Sequence, residues 1–268
     1  MSISTILDSQ KHVQEVLHCF LLNNKIPHSL LFMGPSGSGK TFFAKHLAQD
    51  LLCTQTDHSF ACGVCKSCRM YLSGTHPDYY YFSSQDGASI GIDTARKIQE
   101  LSTWKPAYST RKIIHIDDIH YLTIDAFNSM LKSLEEPNAS TIYLLTTSQV
   151  DSIPTTILSR TVRIPFHRLS LEQTKTMLTQ YSNNSAHIDF AVLLAQGNMK
   201  KATELMNEEK YSEYLQWTQK LIDFIVKPLT AFPFIPKNDT QNCLDICKIL
   251  IRSEERRVGK ECICRWWA

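Results

Sequence analysis

Gly34-Pro35-Ser36-Gly37-Ser38-Gly39-Lys40-Thr41 follows the spacing Gly-x-x-x-x-Gly-Lys-Thr without a deviation. The chemistry that needs this order is phosphate binding. Glycines reach positive φ without steric cost, so successive backbone N–H groups can converge on one anion. A helix beginning near Lys40 adds the partial positive charge of its N-terminus. Lys40 is then placed to reach the β- and γ-phosphates of a nucleoside triphosphate, and the Thr41 hydroxyl to ligate Mg2+. A glycine-rich turn with a chance lysine would lack the flanking pattern found here. The apolar run 28–33 reads as a buried strand, and Phe42, Phe43, Leu47, Ala48 and Leu51 recur at helical spacing.

A second group of residues supplies acid. The run Arg111-Lys-Ile-Ile-His-Ile-Asp-Asp118 reads as a strand ending in two carboxylates. Asp117 is expected to hold Mg2+ through water, and Asp118 to orient or deprotonate an attacking water. Two solvated strand-end aspartates are the plainer alternative. Thr147 closes another apolar run, Thr141–Thr147, and falls near the expected phosphate.

The third group is sulfur. Cys53, Cys62, Cys65 and Cys68 are spaced Cys-x8-Cys-x2-Cys-x2-Cys. Two-residue gaps bring thiolates to one side of a tight knuckle, and the remaining ligand comes from the end of the preceding helix. Four thiolates make a closed tetrahedral Zn2+ site, which is structural because no coordination position stays open. A redox Cys-x-x-Cys is the competing reading. Cys19, Cys243 and Cys247 show no ligand pattern and read as buried thiols.

These groups need elements to carry them. Residues 8–24 read as a helix, with Val13, Val16, Leu17, Phe20 and Leu21 on one face and Asn23-Asn24 as a stop. Strands are expected at 28–33, 78–82, 111–118, 141–147 and 162–166. Helices are expected from Lys40, at 92–104 and at 125–136, where Pro137 ends the run. Strands alternating with helices through 28–166 imply an α/β fold with a parallel sheet. After Phe166 the strands stop. Ser170-Leu-Glu-Gln173 is a capping box opening a helix, and helices near 184–196 and 199–208 are split by Gly197-Asn198. The expected domains are 1–166, nucleotide-binding with the cysteine insert at 53–68; 167–208, a helical lid; and 209–251, a partial helical collar. Residues 252–268, with their arginines and Trp266-Trp267, resemble a translated sequencing adapter. They are set aside as non-native, which leaves the native C-terminus missing.

With 268 residues, 43% hydrophobic, 20% charged and net charge +2, the chain is of ordinary globular composition. That balance neither requires nor excludes nucleic acid. No apolar run approaches the ~20 residues that span a bilayer, and the N-terminus lacks a signal-peptide core. A cytoplasmic location without membrane contact is therefore expected, with the nine cysteines reduced or metal-bound.

The P-loop, the cysteine insert, and Leu131-Lys-Ser-Leu-Glu-Glu-Pro137 leading to Leu158-Ser-Arg-Thr161 together resemble the clamp-loader branch of the AAA+ ATPases. The resemblance spans about residues 1–208, and 209–251 loosely. Gly74-Thr-His-Pro-Asp-Tyr-Tyr80 and Ile90-Gly-Ile-Asp-Thr-Ala-Arg96 are similar to the delta-prime type within bacterial DNA polymerase III, on likeness alone. This family implies a hetero-pentamer of loader subunits that uses ATP to open a sliding clamp and place it on primed DNA. Arg160 matches the arginine of the family's Ser-Arg-Cys motif, which reaches into the neighbouring subunit's ATP site. Such a trans arginine can be worth ~10³-fold or more in rate. By its residue type alone, Arg160 reads equally as a surface charge.

The lid's sensor arginine, expected after a glycine such as Gly197, falls on Lys200, which keeps the charge and loses the bidentate fork. Thr161 replaces the family's cysteine, and Asp118 replaces a longer glutamate. These departures imply ATP binding with weak or absent hydrolysis, and hence a stator subunit. The alternatives are an ATP-hydrolysing gamma/tau-type motor of the same loader, a P-loop nucleotide or small-molecule kinase, and a metal-stabilised interaction module with a vestigial P-loop. DNA contact is expected through phosphates. Lys97, Lys105, Arg111 and Lys112 are basic candidates that read equally as solvated charges.

Overall fold

Ser29–Met33 is apolar along both of its faces, as a strand covered on both sides must be. In the computed structural model it is β1, paired in parallel with two neighbours. The structure describes residues 10–22, 25–55, 61–84, 87–180 and 184–216. Within them the chain divides into two units between Arg168 and Leu169.

In the first unit, α1 (Lys11–Leu22) precedes β1, and α2 (Lys40–Leu52) follows the glycine loop. Then come α3 (Lys66–Leu72), β2 (Tyr79–Phe82), α4 (Ile92–Thr103), β3 (Lys112–Ile116) and α5 (Ile124–Glu135). The series ends with β4 (Thr141–Thr147), the short α6 (Thr155–Leu158) and β5 (Val162–Pro165). The described strands form one sheet in the order β2-β3-β4-β1-β5, and all its pairings are parallel.

Period-two alternation divides each strand between two cores. Leu30 and Phe32 join Val13 and Leu17 of α1 and Phe43, Leu47 and Leu51 of α2 on one face. Leu31, Ile114, Ile116 and Leu145 join Ile98 of α4 and Phe127 and Met130 of α5 on the other. Each central residue so buried contributes roughly 1.5–3 kcal/mol relative to exposure.

The second unit, taken by itself, holds α7 (Leu171–Leu178), α8 (Ser185–Ala195) and α9 (Met199–Leu205), and residues 208–216 are helical. Both halves of the capping box at Ser170 and Gln173 are present. The chain turns between α8 and α9 at Gly197, whose φ is +80° and where a Cβ would lie 2.3 Å from the Leu169 carbonyl oxygen.

Three expectations about single residues change. Val16 is 39% exposed and Cys19 is exposed, because α1 turns Val13, Leu17 and Phe20 toward the sheet and these two residues away from it. Lys112 is buried rather than solvated, and its ammonium donates to the carbonyls of Leu101 and Trp104, at the C-terminal end of α4. Asn23-Asn24, Cys243, Cys247, most of the 209–251 stretch and the tail lie outside the described residues.

Candidate functional site

The glycine loop runs from the end of β1 to the start of α2. Gly34, Gly37 and Gly39 have φ of +149°, +73° and +94°. At Gly34 the requirement is also spatial, since a Cβ would sit 2.2 Å from the Phe166 carbonyl oxygen. Pro35 and Ser36 form the outer bend, and Ser38 is buried with its hydroxyl unpartnered among the described residues. Lys40 is the first residue of α2, and its ammonium donates to the carbonyls of Gly34 and Pro35, 2.8 Å each. Burial pulls the Lys40 pKa below its ordinary value, and the charges of Asp118 and Asp117 act in the opposite sense. A cradle of left-handed glycines, an orphan hydroxyl and a half-desolvated ammonium beside carboxylates fits a triphosphate with its cation.

Asp117 and Asp118 leave the tip of β3 beside this loop. The Thr41 hydroxyl donates to Asp117 Oδ1 at 2.7 Å. This bond ties the first turn of α2 to the first acid, which is the arrangement a shared Mg2+ requires. The Thr146 hydroxyl donates to the same oxygen, and Tyr81 donates to Oδ2 at 3.1 Å. Asp118 adopts the left-handed conformation, φ +51°, and its N–H donates to Thr146 Oγ1 at 2.9 Å. Its carboxylate lies 3.7 Å from His120 Nδ1. Thr147, fully buried, receives a hydrogen bond from the Gln149 N–H and stands 3.4 Å from His120 Nδ1. Tyr81 and His120 were missed by the sequence reading, because nothing in their spacing marks them.

Arg160 lies just past α6, with its side chain 32% exposed. It donates to the Thr156 carbonyl at 2.7 Å and pairs with Glu135 at the end of α5. Two of the stretches that carried the family resemblance, 131–137 and 158–161, thus meet at this ion pair. Lys200 is exposed on the first turn of α9 in the second unit.

The four cysteines converge, with all four Sγ atoms within 4.8 Å of one another. Cys53 Sγ is 3.7 Å from Cys62 Sγ and 3.9 Å from Cys65 Sγ. A tetrahedral site with Zn–S near 2.3 Å has edges of about 3.8 Å, which the two Cys53 separations match, and the whole cluster lies within about 1 Å of that edge. Backbone N–H groups of Cys62, Cys65 and Cys68 point at the sulfurs of Cys53, Cys62 and Cys65. Burial raises the Cys68 thiol above its ordinary value, whereas at Cys65 burial is outweighed by hydrogen bonds from the Cys68 N–H and Thr54, which lower it. Four thiolates packed this closely repel one another and call for a cation at the centre.

The Gly74–Tyr80 stretch ties this insert down. The Asp78 N–H donates to His76 Nδ1 at 3.1 Å, and His76 Nε2 faces the Ser67 hydroxyl at 2.9 Å. Ser67 in turn donates to the Leu52 carbonyl. The buried Asp78 carboxylate accepts from the N–H groups of Tyr108 and Ser109 at 2.8 and 2.6 Å, and from Ala107.

The model of a family described as DNA polymerase III, delta subunit, matches residues 9–170. DNA polymerase III subunit tau of Bacillus subtilis is 31% identical over 205 residues, 74% of this chain and 36% of that protein. DNA polymerase III subunit delta' of Pseudomonas aeruginosa is 35% identical over 137 residues, 51% of this chain and 42% of that protein. The chain therefore spans about a third of the length of the first of these relatives. Among solved structures, a DNA polymerase III gamma-subunit-related protein of Thermotoga maritima aligns over 89% of this chain and 71% of that one, at 18% identity and TM-score 0.48.

Proposed function

Because the chain belongs to the family described as DNA polymerase III, delta subunit, we propose that it is a delta-prime-type stator of the bacterial replicative clamp loader. In this role it binds ATP, works in the cytoplasm within a hetero-pentamer, and helps place the sliding clamp on primed DNA. The observation that carries the reading is the pairing of two features at separate places on the first unit: an intact loop with the Thr41–Asp117 bond, and a partly exposed Arg160.

In the chain's own site, the N–H groups of Ser36, Gly37 and Gly39 and the Ser38 hydroxyl would bind phosphate oxygens. Lys40 exchanges its two carbonyl partners for phosphate. Thr41 and Asp117 would hold Mg2+, which supplies charge neutralisation between the β- and γ-phosphates. Asp118 is short and turned into the left-handed region, where it neighbours His120. This supports slow hydrolysis, because an orienting base must stand within hydrogen-bond reach of the water it activates. Thr147 and Lys200 are assigned to sensing the bound nucleotide. Arg160 acts away from this site, donating charge to a neighbouring subunit's triphosphate once it is released from Glu135. Cys53, Cys62, Cys65 and Cys68 hold a structural Zn2+ that cross-links the insert.

Reconstitution with the other loader subunits, clamp and primed DNA tests the reading. Arg160→Ala is expected to lower ATP turnover of the assembly by more than Lys40→Ala does. The reverse order defeats the stator role and favours the motor reading. That second reading has support of its own in the complete Lys40, Thr41 and Asp117 set and in the identity to a protein named tau. Phosphoryl transfer from ATP to a small acceptor would point to the kinase reading instead.

A further inference from the structure

Asp117 lies one residue beyond β3, and its N–H still donates to the Phe82 carbonyl at 2.8 Å, which anchors the backbone and leaves the carboxylate to rotate. Rotation about the terminal bond of an aspartate is soft. Thr41 and Thr146 both donate to Oδ1, which leaves the orientation of Oδ2 to a third donor. That donor is the Tyr81 hydroxyl, 3.1 Å away. Tyr81 sits on the edge strand β2, opposite His115 in the β2–β3 register, so its ring lies on the same sheet face as His115 and Asp117.

At 39% exposure, a tyrosine on an edge strand is free to swing into water unless something holds it. Here the Lys45 ammonium stands 4.5 Å from the ring centroid on one side, a cation–π contact, and the His115 ring meets it edge-on at 5.0 Å. The histidine is itself fixed. His115 is fully buried, with Nδ1 3.0 Å from the Tyr79 hydroxyl. The Tyr71 hydroxyl donates to the Lys45 carbonyl at 2.7 Å, and its ring packs on Tyr79 at 4.8 Å. Residues from α2, α3, β2 and β3 thus converge to aim one phenol at one carboxylate oxygen.

We propose that Tyr81 is a positioning residue for Asp117, setting the carboxylate so that it and Thr41 present oxygen to Mg2+ together; this rests on the nucleotide-binding reading above. Losing the hydroxyl should weaken only the magnesium-dependent part of nucleotide binding. Phosphate contacts made by the loop and Lys40 do not pass through Asp117. Partners that orient a metal-binding residue typically change metal affinity 10–100-fold when removed.

The test titrates a fluorescent ATP analogue onto the full chain in magnesium and in EDTA, comparing wild type, Tyr81→Phe and Tyr80→Phe. Tyr81→Phe keeps the ring and its packing. Tyr80 points to the opposite sheet face, and its variant should behave as wild type. Expected is an affinity gain from magnesium that falls about 10-fold in Tyr81→Phe, with the EDTA affinity unchanged. An equal magnesium gain in wild type and Tyr81→Phe overturns the positioning role and leaves nucleotide binding standing. Absence of binding by the wild type overturns the nucleotide reading and this inference with it.

Discussion

Arg160 is held by one carboxylate, one carbonyl and the Ser159 hydroxyl at a half-open surface. A pair of this kind gains little on its own, about 0–1 kcal/mol, because solvent screens it and both side chains lose freedom. Arg160→Ala should therefore leave the thermal unfolding of the isolated chain within roughly 1 kcal/mol of wild type, as read by calorimetry. A large loss of stability would show that the guanidinium is needed inside its own subunit, and would remove the case for a role in trans. The contrast with Lys112 is instructive. Both read as solvated charges in the sequence, yet Lys112 is buried and donates to the Leu101 and Trp104 carbonyls at the C-terminal end of α4.

Element-scale behaviour is clearest where α3 meets β2. His76 Nδ1 accepts from the Asp78 N–H, and the Ser67 hydroxyl already donates to Leu52, so the neutral Nε2–H tautomer is the one that satisfies this network. Protonating Nδ1 would set two N–H groups against each other. Burial accordingly lowers the His76 pKa, with the Asp78 charge acting the other way.

Below the ordinary histidine value the unfolded chain takes up a proton that the folded chain resists, so stability is lost as pH falls from about 6.5 toward the depressed folded value. A His76→Gln variant, monitored by thermal melts from pH 8 to pH 5, should have a flatter profile than wild type. An identical slope would mean that His76 does not titrate in this way. The same latch gives physical content to the Gly74–Tyr80 stretch, which the sequence matched only by likeness.

Across the whole first unit, the insert is tied down from several directions: by its four sulfurs, by the Ser67–Leu52 and His76 bonds, and by the Tyr71–Tyr79 packing. Zinc binding in small domains is coupled to folding by roughly 10 kcal/mol, of which a fold with its own core feels only a part. Stripping the metal with a strong chelator should lower the unfolding temperature of the chain by roughly 10 °C and release one zinc per chain in a colorimetric assay. A preparation that holds no zinc, with a transition indifferent to chelation, would return the cysteines to plain buried thiols. No helix among the described residues is long and apolar enough to cross a membrane.

The order of residues along the chain determined the elements and the loop. Helical and strand periodicity, glycine placement and cysteine spacing are local properties that survive without knowledge of contacts, so β1, α2, β4 and the sulfur cluster were legible to within a residue or two. Tertiary structure alone decided which distant residues share a carboxylate. Tyr81, Thr41 and Thr146 meet at Asp117 only because the sheet runs β2-β3-β4-β1-β5 and brings the strand tips together beside the start of α2. Strand order is set by the burial of both sheet faces under helices, a non-local energy that no short window of sequence records.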